Sequence, residues 1–253
     1  MFAARALAGS AAVVLTQGGD HALRQPLRAT GLEVIAGTSR RTTIYDVSLH
    51  GDGTWHESIS ALGDPFTPRD VESWMAPALA GCSAVVCGSL WRGDFPPATL
   101  AALRQGRALY LDGQGTSRPR RLGRVVTEGP LVRETIAGVR VLKLSEPEAQ
   151  AMLTAIDVAG AEATGVPIVV VTLGERGAVV FTEGTATEVS VAPVDLADTV
   201  GAGDAFLALM AAAEMDGAHP VEAVGRACDR VAALLRSRLA AEAAVASAHP
   251  GAA

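Results

Sequence analysis

Lysine is almost missing from this chain: Lys143 stands alone among 21 basic residues, the rest being arginines. The Arg- and Ala-rich composition accounts for that bias, although Lys143 falls next to a candidate site discussed below. No basic stripe exists, and the formal net charge of −6 speaks against neutralising the phosphates of a nucleic acid. Cysteine is equally scarce. Cys82, Cys87 and Cys228 are odd in number and dispersed, which excludes a disulfide framework and a zinc site. They read as small buried hydrophobes of a protein in a reducing cytoplasm. The five histidines show no metal-ligand spacing. No run approaches the ~20 apolar residues of a membrane span, and the Ala-rich start, interrupted by Arg5, lacks the form of a signal peptide. Internal repeats, linkers and low-complexity tracts beyond alanine enrichment are absent. A G-x-x-x-x-G-K-[ST] phosphate loop is absent too.

What is present is enough apolar residue, 49% of 253, to bury a substantial core, with 19% charged residues to keep it in water. Short β-branched runs at Ala11–Leu15, Ala84–Gly88, Ala108–Asp112, Val139–Leu144 and Ile168–Thr172 read as buried parallel strands. Helical spacing occupies Asp20–Thr30, Asp70–Ala80, Pro97–Gln105 and Glu146–Val158, with Thr67-Pro68 and Ser145-Glu146-Pro147-Glu148 as helix starts. This alternation predicts an α/β fold with helices on both faces of one mostly parallel sheet. Two segments depart from it. Thr42–His50 and Thr54–Ser60 alternate about Gly51-Asp52-Gly53 as a hairpin, either a lid (38–60) or an ordinary edge hairpin. Val179–Thr182 and Thr187–Val191 form a second hairpin about Glu183-Gly184, and Pro220–Ala246 a long helix. A single domain over 1–253 is expected, with 247–253 as a flexible tail.

The most informative stretch is Asp198-Thr199-Val200-Gly201-Ala202-Gly203-Asp204-Ala205-Phe206. Gly201 and Gly203 allow a turn tight enough to aim successive N–H groups at an anion, and the apolar helix that follows adds its positive N-terminal end. A carboxylate beside a bound phosphate would be repelled unless it had a task, such as accepting the proton of an attacking hydroxyl. Asp204 is the candidate for that task. The same residues would also suit a plain strand-to-helix turn.

This nine-residue stretch resembles the C-terminal signature of the PfkB or ribokinase family of sugar and nucleoside kinases. The resemblance implies a ribokinase-like fold with a small β lid and an ATP- and Mg²⁺-dependent phosphotransferase. In it Gly201, Ala202 and Gly203 would form the anion hole and Asp204 would be the catalytic base. Thr172-Leu173-Gly174-Glu175-Arg176-Gly177 is similar to the family's T-x-G-x-x-G turn, placing Thr172, Gly174 and Gly177 at the nucleotide, with Thr199 from the signature. Pro193 falls where the family lines its adenine pocket. Lys143–Glu148 resembles the N-x-x-E box that helps hold magnesium; Ser145 replaces its asparagine, so Glu148 alone carries over. Asp112-Gly113-Gln114-Gly115, with Arg118, occupies the place of a D-x-N segment on the substrate and phosphate side. Gly88–Asp94 resembles a substrate-side loop whose Trp91 either stacks on a ligand or closes the core.

Family members usually open with a strand carrying a substrate-binding aspartate, two lid strands and a Gly-Gly loop. The resemblance here begins inside the helix after that loop, with Phe2–Leu7. Either the sequence given starts short of these elements, or the strand edge they would pair is covered by a partner, a homodimer among the options, or by rearrangement. Three functions fit: a kinase of a sugar, sugar phosphate or nucleoside; a nucleotide-binding protein without catalysis; or a kinase of a hydroxymethyl heterocycle of the vitamin type.

Overall fold

In a computed structural model, residues 2–19, 25–49, 55–192, 194 and 199–248 are described. Six strands form the main sheet: β5 (Ala84–Cys87), β6 (Ala108–Asp112), β8 (Val141–Ser145), β9 (Ile168–Thr172), β10 (Ala178–Thr182) and β11 (Thr185–Val189). Their order is β11-β10-β9-β8-β6-β5, parallel from β5 to β9 and antiparallel through the last two. The β10–β11 turn follows from its residues: Glu183 and Gly184 both have positive φ, at 50° and 69°, as a two-residue hairpin turn with right-handed strand twist requires.

Val, Leu and Ile dominate these strands because both sheet faces are covered. One face packs a core that includes Leu100, Leu103, Leu111, Leu142, Leu144 and Met152. The other packs Tyr110, Val141, Val170 and Val180 against α9 (Ala202–Met215) and α10 (Pro220–Ala248). Helix α9 is apolar nearly all round, burying every residue from Ala205 to Ala211 as well as Ala213, so it is an interior helix. α1 (Phe2–Ala6) lies against it.

Several expectations are corrected. The strand at the start of the chain, β1 (Val13–Gly18), pairs only with β2 (Glu33–Thr38) among the described residues, as a separate two-stranded parallel sheet. Its valines and leucine are half-buried, unlike the buried residues of β8 and β9. Asp70–Ala80 is two helices, α3 (Pro68–Glu72) and α4 (Ala76–Leu79), interrupted at Ser73 and restarted with Pro77 in the first turn. Glu146–Val158 likewise divides into α7 (Glu146–Met152) and α8 (Val158–Ala163). Leu153 turns extended, and Asp157 caps the new start by accepting from Gly160 N–H at 2.8 Å. Asp20–Thr30 contributes α2 (Gln25–Arg28), its first half lying outside the described residues.

The expected hairpin exists as β3 (Ile44–Leu49) and β4 (Trp55–Ala61), but its turn at 50–54 lies outside the described residues. A third strand that the sequence reading missed, β7 (Gly123–Arg124), joins β4. It is too short for any periodicity to announce it. The resulting three-stranded sheet is separate from both other sheets. The remaining helices are α5 (Pro97–Leu103) and α6 (Gln114–Ser117).

Candidate functional site

Parallel strands deliver their C-terminal residues to one end of the sheet, where loops have room to hold a ligand. Asp112 ends β6 and Ser145 ends β8, and Asp112 and Lys143 are direct partners across the β6–β8 ladder. Their side chains meet: Lys143 Nζ donates to Asp112 Oδ1 at 3.2 Å and to Oδ2 at 3.1 Å, with both side chains 5% exposed or less. Gln114 N–H also donates to Asp112 Oδ1, at 3.0 Å. Burial works against the charge on Lys143, but the carboxylates of Asp112, Glu148 and Asp204 outweigh it and hold the ammonium above its ordinary pKa. Lys143 is the residue that the sequence reading passed over. Its solitary status was explained by composition, and its cross-strand register with Asp112 is visible only in the folded sheet.

The Gly-Ala-Gly turn closes over this pair. Gly201, at φ 82° and ψ 2°, is the left-handed cap from which α9 begins, a conformation that glycine adopts without strain. The ring of Phe2 occupies the space a side chain at Gly201 would need. A β-carbon on Gly203 would lie 2.8 Å from Lys143 Nζ, so glycine here admits the ammonium to the underside of the turn. Asp204 follows in the first turn of α9, half-buried, with Oδ1 3.9 Å from where a β-carbon on Gly88 would be. Burial, then the charge of Asp112, pushes the Asp204 carboxyl above its ordinary range. The charge of Lys143 pulls it partly back. A base so tuned lies nearer the neutral pH at which it would work.

Glu148, 7% exposed, completes a capping box: its Oε2 accepts from Ser145 N–H at 2.8 Å. No three acidic, histidine or cysteine side chains converge to hold a metal among the described residues. A magnesium ion brought by a phosphate donor would need only one or two carboxylates, and Glu148 keeps one oxygen outside the cap.

The other expected site residues divide. Thr172 ends β9 beside Ser145 and donates to Leu144 C=O at 3.3 Å. Gly174 and Gly177 both have positive φ, at 64° and 91°, and Gly177 packs on the Val189 backbone, so the turn needs glycine for its own geometry. Thr199 is exposed just before the turn, while Pro193 lies outside the described residues. Arg118 is not free to roam in solvent. Its Nη1 donates to Tyr45 Oη at 2.9 Å, its Nη2 pairs with Glu57 at 3.4 Å, and the Gln114 amide, with its oxygen turned inward, accepts from both. Arg118 therefore joins the β3–β4 hairpin to the loop after β6. Trp91 is 1% exposed and closes the core, with Arg120 stacked on it at 4.6 Å.

Comparison with known proteins bears on the fold. Residues 126–246 match the sequence profile described as pfkB family carbohydrate kinase. No curated protein matches. Among solved structures, the chain is similar to a pyrophosphate-dependent kinase in the ribokinase family, seen with sulfate and with a pyrophosphate analog plus myo-inositol. In both cases the TM-score is 0.77 and the identity 23%, covering 92% of this chain and 84% of that one. It is also similar to phosphofructokinase-2 from Escherichia coli in complex with fructose-6-phosphate (TM-score 0.64, 20% identity, 94% and 86% covered). Ribokinase from Arabidopsis thaliana, complexed with ribose and ATP, gives a TM-score of 0.64 at 22% identity, with 88% and 75% covered.

Proposed function

We propose that this chain, which has the ribokinase-like fold and carries a pfkB family carbohydrate kinase domain over residues 126–246, transfers a phosphoryl group from ATP to an alcohol of a sugar, sugar phosphate or nucleoside. The observation that carries this reading is the assembly of Asp204, the Gly201–Gly203 turn and Lys143 at one point on the C-terminal end of the sheet.

Asp204 takes the proton of the acceptor hydroxyl as its oxygen bonds to the terminal phosphorus of the donor. The bond to the bridging oxygen breaks, and ADP leaves with that electron pair. The backbone N–H groups at the start of α9 meet the phosphoryl oxygens, where charge gathers in the transition state. Lys143, immediately beneath Gly203, adds a full positive charge in a region from which water is largely excluded. Thr172 and the Gly174–Gly177 turn stand on the donor side, Asp112, Gln114 and Arg118 on the acceptor side. Glu148 is the carboxylate that would hold a donor-borne magnesium ion, whose chemistry is to neutralise phosphate charge.

A second donor is favoured by one observation, the likeness to a pyrophosphate-dependent kinase. With pyrophosphate the same step releases phosphate instead of ADP. Incubating the protein and magnesium with each labelled donor and a panel of sugars, sugar phosphates, nucleosides and hydroxymethyl heterocycles tests the reading. Labelled acceptor is expected. Donor binding without transfer to any acceptor would identify a non-catalytic binding protein instead.

A further inference from the structure

Helix α9 carries an acid near each end, Asp204 in its first turn and Glu214 in its last. The Glu214 side chain is 3% exposed, and no basic residue stands in that turn. A carboxylate there is disfavoured twice, by loss of water and by the negative end of the helix dipole. A leucine in its place would suffer neither. Two donors from outside the helix hold it: Tyr110 Oη donates to Glu214 Oε2 at 2.7 Å, and Arg140 Nη2 donates to Oε1 at 2.8 Å. Tyr110 is wholly buried, while Arg140 reaches in from a partly exposed position. Burial, and then the Glu214 carboxylate, push the Tyr110 phenol above its ordinary pKa, so it remains a donor through the neutral range.

The donors stand on the strands that build the site. Tyr110 and Asp112 alternate onto one face of β6, and Arg140 immediately precedes β8, which carries Lys143. Tyr110 pairs with Val141 and Asp112 with Lys143 in one ladder, so the anchor and the site share a two-strand frame. Helix α9 itself packs by apolar contact, which is non-directional. Its large buried side chains, Phe206, Leu207, Leu209 and Met210, are clustered, and from Ala211 to Ala213 it has only alanines to set against its neighbours. Nothing bulky keys that end of the helix in place. The two bonds of Glu214 do, because hydrogen bonds are directional. Tolerance at the other end is small, since a β-carbon on Gly203 would already lie 2.8 Å from Lys143 Nζ. Asp204 is about 15 Å from Glu214 along the axis, within one unbroken helix, so an axial shift at Glu214 is carried to the turn.

We infer that Glu214 is a positioning residue: its bonds to Tyr110 and Arg140 fix the axial placement of α9 and so hold the Gly201–Gly203 turn and Asp204 over Lys143. The effect on turnover rests on the phosphoryl-transfer reading above; the placement does not.

Lys143 is the only lysine, so protein labelled with 13C at lysine Cε gives one side-chain NMR signal, from beneath the turn, that needs no activity to be read. Tyr110→Phe/Glu214→Leu removes the anchor without stranding a buried polar group, and Arg140 can turn to solvent, so the variant should fold with Tm little changed. It is expected to displace the Lys143 signal and to lower kcat about 10- to 100-fold, as a misplacement near 1 Å does, with KM changed far less. Glu214→Gln keeps the reach of the side chain and an oxygen for Arg140, and should retain most of the turnover. Leu100→Ala, in the core on the opposite face of the sheet, should lower Tm while leaving the lysine signal and kcat alone. A double variant with the native lysine signal or the native kcat would overturn the inference, as would Leu100→Ala displacing the signal equally. Should the double variant not fold, Tyr110→Phe alone is read by the same signal, and an undisplaced signal overturns the inference. If the native chain phosphorylates no acceptor, the kinase reading fails by itself and the lysine signal decides the placement.

Discussion

Replacing Lys143 by methionine removes the only cation bonded to Asp112 among the described residues, a carboxylate whose side chain is 3% exposed. An unpaired buried charge typically costs about 3–5 kcal/mol. For a chain of this size that corresponds to a fall in Tm of about 6–20 °C. Asp112→Leu in the same chain removes the stranded carboxylate. Because buried ion pairs can often be exchanged for apolar groups of similar volume without loss, Lys143→Met/Asp112→Leu should regain most of the stability. Activity should not return with it. Lys143 Nζ is the charge under Gly203, and losing one such electrostatic contact costs about 10²- to 10³-fold in turnover. Thermal denaturation and phosphoryl transfer, measured on the single and double variants together, separate the two roles. A double variant that is stable and turns over at the wild-type rate would refute the reasoning, leaving Lys143 as part of the sheet's packing alone.

Asp94 gives a pH dependence. Burial pushes its carboxyl up to about 6, from an ordinary 3.8, although Leu90 and Trp91 N–H groups donate to it. Because the folded form holds its proton more tightly, its contribution is complete below the unfolded value and is lost as pH rises through about 6. Relative to Asp94→Asn, the native chain should lose about 2 kcal/mol in urea unfolding between pH 4 and pH 7, and parallel stability curves for the two would contradict this. Gly201→Ala should cost about 1–3 kcal/mol, because alanine is strained at φ 82° and its methyl group meets the Phe2 ring. A Gly201→Ala chain with unchanged Tm would show that the α9 start is not held as described.

Much of the fold was legible because strands buried on both faces leave unbroken Val, Leu and Ile runs, as at Ile168–Thr172 and Ala108–Asp112. Helix breaks were harder. Apolar spacing continues through Ser73 and Leu153 even though the chain turns there, since both neighbouring helices face the same core. The candidate turn at Gly201–Asp204 was readable because glycines and an acid before an apolar helix have few uses. Its companion Lys143 was not, because what marks it is a register between strands 31 residues apart. Arg118 looked like a solvent or phosphate residue until the lid placed Tyr45 and Glu57 against it.

The central claim is that Asp204 accepts the proton of the attacking hydroxyl. The most direct measurement is the rate of labelled phosphate transfer from donor to acceptor by the native chain and by Asp204→Asn, with donor affinity determined in parallel. The account predicts a fall in kcat of about 10²- to 10⁴-fold with donor affinity little changed. Near-normal turnover by Asp204→Asn would contradict it.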